Sequence, residues 1–258
     1  METKPDTKVE NNPETKPNNS TTESELKLAT GTQLKTNESS SNKIAIHDFI
    51  EVEYTGKLPN GTIFDTNNQK TALESGMFSS KMKYEPTIIC VGEKQLIVGL
   101  DTALIGKEVG NSYKIELKPE EAFGKKDIKK IKLVPVAEFQ KKKLNPQPGM
   151  QIDMDGQVAT ILRAAGGRIM VNFNHPLAGK EVVYDIKINK KITDKQKQLV
   201  AYLGLALNLP NVKAEVKENK AQVTLPIELP ELILTELTNR LKEIIKLEEV
   251  SFSKLEKK

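Results

Sequence analysis

The chain has 258 residues, of which 37% are hydrophobic and 29% charged, with no tryptophan; a length of this kind holds one to three domains of modest core. Its 39 basic and 35 acidic residues nearly balance at a net +4, so bulk charge gives no reason to expect a nucleic-acid partner. The single cysteine, Cys90, excludes an intramolecular disulfide framework, no run approaches about 18 apolar residues, and no basic segment followed by an apolar core opens the chain, which together predict a cytoplasmic protein without a membrane span.

Residues 1–43 are dominated by Lys, Glu, Thr, Asn, Ser and Pro. Too little apolar surface is present to offset the entropy of ordering, and a disordered tail is expected. In Ile50-Glu51-Val52-Glu53-Tyr54 apolar positions alternate with acids, the pattern of a half-buried strand. Leu58-Pro59-Asn60-Gly61 is a hairpin turn, because Asn-Gly tolerates positive φ, and residues 62–65 return as a strand. A polar loop follows over 66–86, with a short helix around 71–74. Residues 87–91 read as a strand and 96–104 as a helix carrying Leu100, Ala103 and Leu104 on one face. Tyr113, Ile115 and Leu117 alternate with charged residues, as do Val182, Tyr184, Ile186 and Ile188, giving two more strands.

Between these last two strands lies a stretch of different character. Residues 125–144 hold eight Lys against one Asp and one Glu. Strand candidates follow at 158–162 and 169–173, around Gly166-Gly167. Both ends of the stretch carry turn residues, Gly124 and Asn174-His175-Pro176, as expected of a small β unit inserted into its host. From residue 192 a third unit begins. Thr193 is placed to cap a helix running to 207, residues 211–216 and 221–226 form a hairpin, and Pro230 opens a second helix. That helix carries Ile233, Leu234, Leu237, Leu241, Ile244 and Ile245 on one stripe, and Val250 and Phe252 add an edge strand. About 65 residues give a thin core, so docking or self-association is expected to support this unit.

Several short motifs occur in a fixed order: Val52-Glu53-Tyr54-Thr55-Gly56, Ile63-Phe64-Asp65, Val91-Gly92-Glu93-Lys94-Gln95-Leu96-Ile97-Val98-Gly99-Leu100, Glu121-Ala122-Phe123-Gly124 and, after the interruption, Val183-Tyr184-Asp185-Ile186. The series resembles the FKBP-type peptidyl-prolyl cis/trans isomerases. The interruption resembles the insert-in-flap chaperone domain of the SlyD-like subgroup, with Val134-Pro135-Val136-Ala137-Glu138-Phe139 and Gly149-Met150 near its start and Asn174-His175-Pro176-Leu177-Ala178-Gly179-Lys180 at its return. The resemblance implies an α+β fold: an antiparallel FKBP half-barrel with one helix over 44–124 and 174–191, an inserted small β domain over 125–173, and a small α/β C-terminal domain over 192–258. That last unit resembles the extra domain of long archaeal members, which implies dimerisation as a homodimer, a second client surface or a stabilising appendage.

Rotation about a peptide bond must break amide resonance, a barrier of roughly 18–20 kcal/mol. A catalyst need only bind the twisted amide better than the planar one, and the twisted form has lost charge separation, so an apolar, water-poor pocket suffices without cofactor or metal. By the resemblance, Tyr54, Phe64, Leu96, Ile97, Leu100, Phe123 and Tyr184 wall a pocket for the proline ring. Ile97 also offers its backbone N–H to a peptide carbonyl, and Asp65, held by Tyr54, sets the polarity beside the twisting bond. The chain departs from the family at Leu100, where eukaryotic drug-binding members have Trp, at Phe123, which lacks a substrate-binding hydroxyl, and at Thr87, where a larger residue is common. A shallower pocket is expected.

The expected partners are unfolded or proline-containing polypeptides. Val134, Val136, Phe139, Met150, Ile161, Ile169 and Val171 are the candidates for client contact in the insert, about half of them needed for its own core. Two other readings compete: a holdase chaperone with a vestigial isomerase site, and RNA or ribosome binding through the lysines of 125–143. Metal use is not expected: His47, His175 and Cys90 lie far apart in sequence, His175 reads as a turn residue, and the terminal Lys254-Leu255-Glu256-Lys257-Lys258 is not the His/Cys-rich tail of some SlyD-like proteins.

Overall fold

A computed structural model describes residues 42–154, 156–209 and 212–254. The expected disordered tail lies outside these residues except for its last two, and so do Asn211 and residues 255–258. Residues 42 and 43 are held: the Asn42 carbonyl accepts the Val109 N–H, and Lys43 bridges Glu108.

The first strand, β1 (Phe49–Lys57), turns at Asn60-Gly61 into β2 (Ile63–Thr66), with Gly61 at φ +89°. Asn68 caps the short α1 (Gln69–Glu74) by accepting the Thr71 N–H, and β3 (Thr87–Cys90) then pairs antiparallel with the opening residues of β1. Sequence places the next helix from residue 96, but α2 spans Val98–Leu104. Residues 92–97 are instead spent on a turn: the Asp101 carboxylate accepts the N–H groups of Gly92 and Lys94 at 2.9 and 3.0 Å, and both residues adopt positive φ. Next comes β4 (Ser112–Leu117).

The stretch that follows forms its own sheet. Its strands are β5 (Ile131–Pro135), β6 (Gln151–Met154), β7 (Gln157–Ala165) and β8 (Arg168–Asn172), ordered β5-β8-β7-β6, with α3 (Val136–Lys141) between the first two. Sequence reading found β7 and β8. It missed β5, α3 and β6, which are only five, six and four residues long, too short to show a clear period. Where this stretch leaves and rejoins its host, the Asn174 side chain accepts from Asp127 N–H and donates to Asp127 C=O, both at 2.9 Å.

The returning strand β9 (Val182–Lys191) lies between β1 and β4, completing a five-stranded sheet ordered β2-β1-β9-β4 with β3 on β1. Ile50, Val52, Leu100, Leu104, Ile115, Tyr184, Ile186 and Ile188 form the core where α2 packs on this sheet.

The third unit comprises α4 (Lys195–Ala206), β10 (Lys213–Lys217), β11 (Lys220–Leu225), α5 (Glu231–Ile245) and β12 (Glu249–Lys254). Asp194, not Thr193, caps α4, its carboxylate taking the N–H groups of Gln196 and Lys197. The two-residue turn Glu218-Asn219 has positive φ at both positions, as a tight hairpin demands. The crossover through α5 makes β12 parallel to β11. Leu241, Ile244 and Ile245 of α5 are buried as expected, whereas Ile233 is exposed, because the first turns of the helix extend beyond the core.

The thin core of this unit is completed by its neighbour. Phe49, Cys90 and Ile192 are buried in one cluster with Leu199, Leu203, Val223 and Leu241, and Ile88 packs against them. Strand β3 thus buries Ile89 toward α2 and Ile88 and Cys90 toward the third unit, which is why it is apolar along its length. The mixed α+β architecture of antiparallel sheets with few helices is as expected. No helix among the described residues is long and apolar enough to cross a membrane.

Candidate active site

Tyr54 sits where β1 changes partner. β3 pairs with β1 as far as Val52, and β2 pairs with it from Thr55. Asn67 fills the gap between them: its side chain accepts the Tyr54 N–H at 2.8 Å and donates to the Val52 carbonyl at 3.0 Å and to Thr87 Oγ1 at 3.2 Å. The Tyr54 carbonyl takes the Thr66 hydroxyl at 3.0 Å. Neither Asn67 nor Asp101 stood out in the sequence, because each acts on backbone groups brought near only by folding.

The side chains on this face converge. Tyr54 and Tyr184 lie 6.3 Å apart between ring centroids, and Phe64 meets both Tyr184 and Phe123 edge-on at 5.8 Å. Leu96 and Ile97 pack half-buried against the same cluster, and Leu100 lies fully within it. Gly56 is required here: a Cβ at this position would stand 2.8 Å from the Phe64 ring and 2.9 Å from that of Tyr184. Seven of the eight positions singled out from sequence therefore share one cluster, and Asp65 follows Phe64 on β2.

Burial pushes the Asp65 carboxyl above its ordinary value, opposed by the Thr66 N–H. Burial, reinforced by the Asp65 charge, pushes the Tyr54 phenol up to about 12 and raises Tyr184 further. The resemblance implied that Tyr54 holds Asp65. Among the described residues no hydrogen bond joins them, and their coupling is electrostatic. Ile97 lies just before α2 with extended backbone, and its N–H has no acceptor among the described residues.

His175 accepts the Leu177 N–H through Nδ1, as a turn residue should, but it also stacks flat on Phe123 at 4.5 Å. This stack was not visible in sequence, where Phe123 and His175 stand apart on either side of the insertion. Thr87 is taken up by Asn67, not by the pocket.

In the insert, more of the candidate residues are turned to the core than the half expected. Phe139, Ile161, Ile169 and Val171 are buried in its core, and Val134, Val136 and Met150 pack against them, so all seven candidate client residues serve that core. Strand alternation and register place other residues outward: Leu133, Val158 and Leu162 are 58%, 62% and 42% exposed. The lysine run is also dispersed, with Lys125 paired to Glu120 and Lys141 to Glu138.

An antiparallel sheet packed on one helix thus carries a cluster of aromatic and aliphatic side chains next to Asp65. Residues 40–142 match the model of the FKBP-type peptidyl-prolyl cis-trans isomerase family, and residues 132–177 match that described as the FKBP26 IF domain. The chain is 33% identical over 147 residues to the short-type peptidyl-prolyl cis-trans isomerase of Methanocaldococcus jannaschii, covering 57% of this chain and 93% of that protein. It is 33% identical over 119 residues to the FKBP-type isomerase SlyD of Helicobacter pylori, covering 44% and 63% of the two chains. Over 153 residues it is 29% identical to the FKBP-type 16 kDa isomerase of Escherichia coli, covering 57% and 93%. The chain belongs to the FKBP-type peptidyl-prolyl cis-trans isomerase family and is similar within it to the SlyD relatives.

Proposed function

We propose that this protein accelerates rotation about Xaa-Pro bonds in unfolded clients, in the pocket of Tyr54, Phe64, Leu96, Ile97, Leu100, Phe123 and Tyr184. The convergence of these aromatic and aliphatic side chains in one cluster, with Asp65 electrostatically coupled to Tyr54 and Tyr184, carries the reading. The pocket sheds water from the proline and its amide and so favours the less polar twisted form. The free Ile97 N–H receives a client carbonyl. Asp65 tunes the field and transfers no proton. Leu100 and Phe123 leave the pocket shallower and without a hydroxyl at its edge, so turnover of isolated peptides is modest.

The outward face of the inserted sheet, with Leu133, Val158 and Leu162, holds extended apolar client segments and raises the local concentration of prolines at the pocket. Residues 192–258 act as the added domain of long archaeal members. They brace the isomerase sheet through Phe49 and Cys90, and exposed Leu232 and Ile233 offer a self-association surface. A cytoplasmic setting suits the lone buried Cys90 thiol, pushed up to about 12 by burial.

Tyr54→Ala and Asp65→Ala test the pocket. Each is expected to slow isomerisation of a short Xaa-Pro peptide at least tenfold while leaving capture of an unfolded protein intact. Parent-like peptide rates in both variants would place the chemistry elsewhere.

A further inference from the structure

A groove of about 570 Å³ lies where the inserted sheet joins the isomerase sheet. Val158, Phe173 and Pro176 give its apolar lining, and Lys129, Lys130 and Lys132 its charge. Among the described residues no carboxylate lines it and none of these three lysines has a carboxylate partner, in contrast to the paired Lys125 and Lys141. The nearby Asp127 carboxylate accepts the Lys129 backbone N–H at 2.8 Å, lies outside the lining and offsets part of this charge. The Lys132 ammonium stands 5.4 Å over the Phe173 ring, which draws one of these charges across the groove.

His175 connects the groove to the pocket. It lines the groove and stacks on Phe123, the pocket wall, at 4.5 Å. A client chain that leaves the proline pocket past Phe123 would meet the groove at His175. At roughly 3.3–3.6 Å per extended residue, side chains a few positions from the proline reach the lysines.

We propose that this groove is a specificity site for an acidic side chain, Asp or Glu, located a few residues from the client's proline. Three lysines without a carboxylate partner among the described residues, beside an apolar lining, fit a carboxylate on a short methylene stem. The shared wall with the pocket favours a polypeptide occupant over nucleic acid, since only a polypeptide fills both sites at once. The proposal rests on the isomerase-pocket reading above, because the groove selects clients only if their proline occupies the neighbouring pocket.

The test uses the full chain and fluorescently labelled Xaa-Pro peptides that differ only by Glu or Gln at positions two to five from the proline, with binding and isomerisation both measured. The Glu peptides are expected to bind about fivefold to tenfold more tightly than their Gln counterparts at low salt. That advantage is expected to vanish in 0.5 M salt and in Lys129→Gln/Lys130→Gln/Lys132→Gln, whose isomerisation of the Gln peptide stays at the parent level. Equal binding of the two peptides by the parent, or a preference that survives the triple substitution, overturns the proposal. So does a triple variant that loses binding of a single-stranded RNA oligonucleotide while the peptide preference is unchanged. Failure of the parent to isomerise even the Gln peptide counts against the pocket reading instead, and the binding comparison still decides the groove.

Discussion

Asn67 holds the backbone that carries Tyr54. Its carboxamide replaces the missing strand neighbour at the point where β1 passes from β3 to β2. Asn67→Ala leaves the Tyr54 N–H and the Val52 carbonyl unpaired, and a loss of about 1–3 kcal/mol in urea unfolding is expected, with a parallel fall in kcat/KM on a proline peptide. Gly56 imposes the complementary constraint. A methyl group there must displace the Phe64 or Tyr184 ring, so Gly56→Ala is expected to cost about 1–3 kcal/mol and to depress isomerisation beyond its effect on folding. A variant as stable and as active as the parent would show that these rings are free to move. The motif residues themselves were legible in sequence because Tyr54, Phe64, Phe123 and Tyr184 are chemically distinctive and ordered along the chain. Asn67, Asp101 and His175 were not, because each works through a partner far away in sequence or through backbone groups.

Among the elements, the turn leading into α2 is tied to α4 and α5. Glu93, its side chain only 6% exposed, accepts from Arg240 Nε at 3.0 Å and from the Tyr202 hydroxyl at 3.1 Å, with His47 Nε2 at 3.5 Å. Burial opposes its charge, but Arg240, Tyr202 and His47 outweigh burial and hold the carboxyl below the ordinary glutamate value. A lowered folded-state pKa contributes stability that is present above the unfolded value, about 4.3, and is lost as pH falls through the folded value. The difference in unfolding free energy between the parent and Glu93→Gln is therefore expected to be constant near neutrality and to shrink below about pH 4.3. A difference that persists at the lowest pH would show that packing, not charge, holds this junction. Sequence signalled the docking only indirectly, through the unbroken apolar run of β3 and the small core of the third unit. The identity of the docked surfaces depends on which face each residue of β3 presents. In the insert the sequence pointed to seven apolar residues of which about half were expected in the core; four are buried there and three are partly buried against it, a division set by strand register and by the packing of α3.

At the scale of the whole molecule, three cores divide the work. One supports the proline pocket, one the inserted sheet, and one joins the third unit to the isomerase sheet. The exposed Leu133, Val158 and Leu162 lie outside the core cluster of the insert. Leu133→Gln/Leu162→Gln is therefore expected to leave the unfolding midpoint and short-peptide isomerisation within error of the parent, while slowing proline-limited refolding of an unfolded protein several-fold. The measurement that bears most directly on the account compares the parent's acceleration of a short Xaa-Pro peptide with its acceleration of a protein whose slow refolding step is prolyl isomerisation. Acceleration of both, much greater for the protein, is the predicted result. Acceleration of neither, with aggregation still suppressed, would contradict it and leave a chaperone whose pocket no longer catalyses.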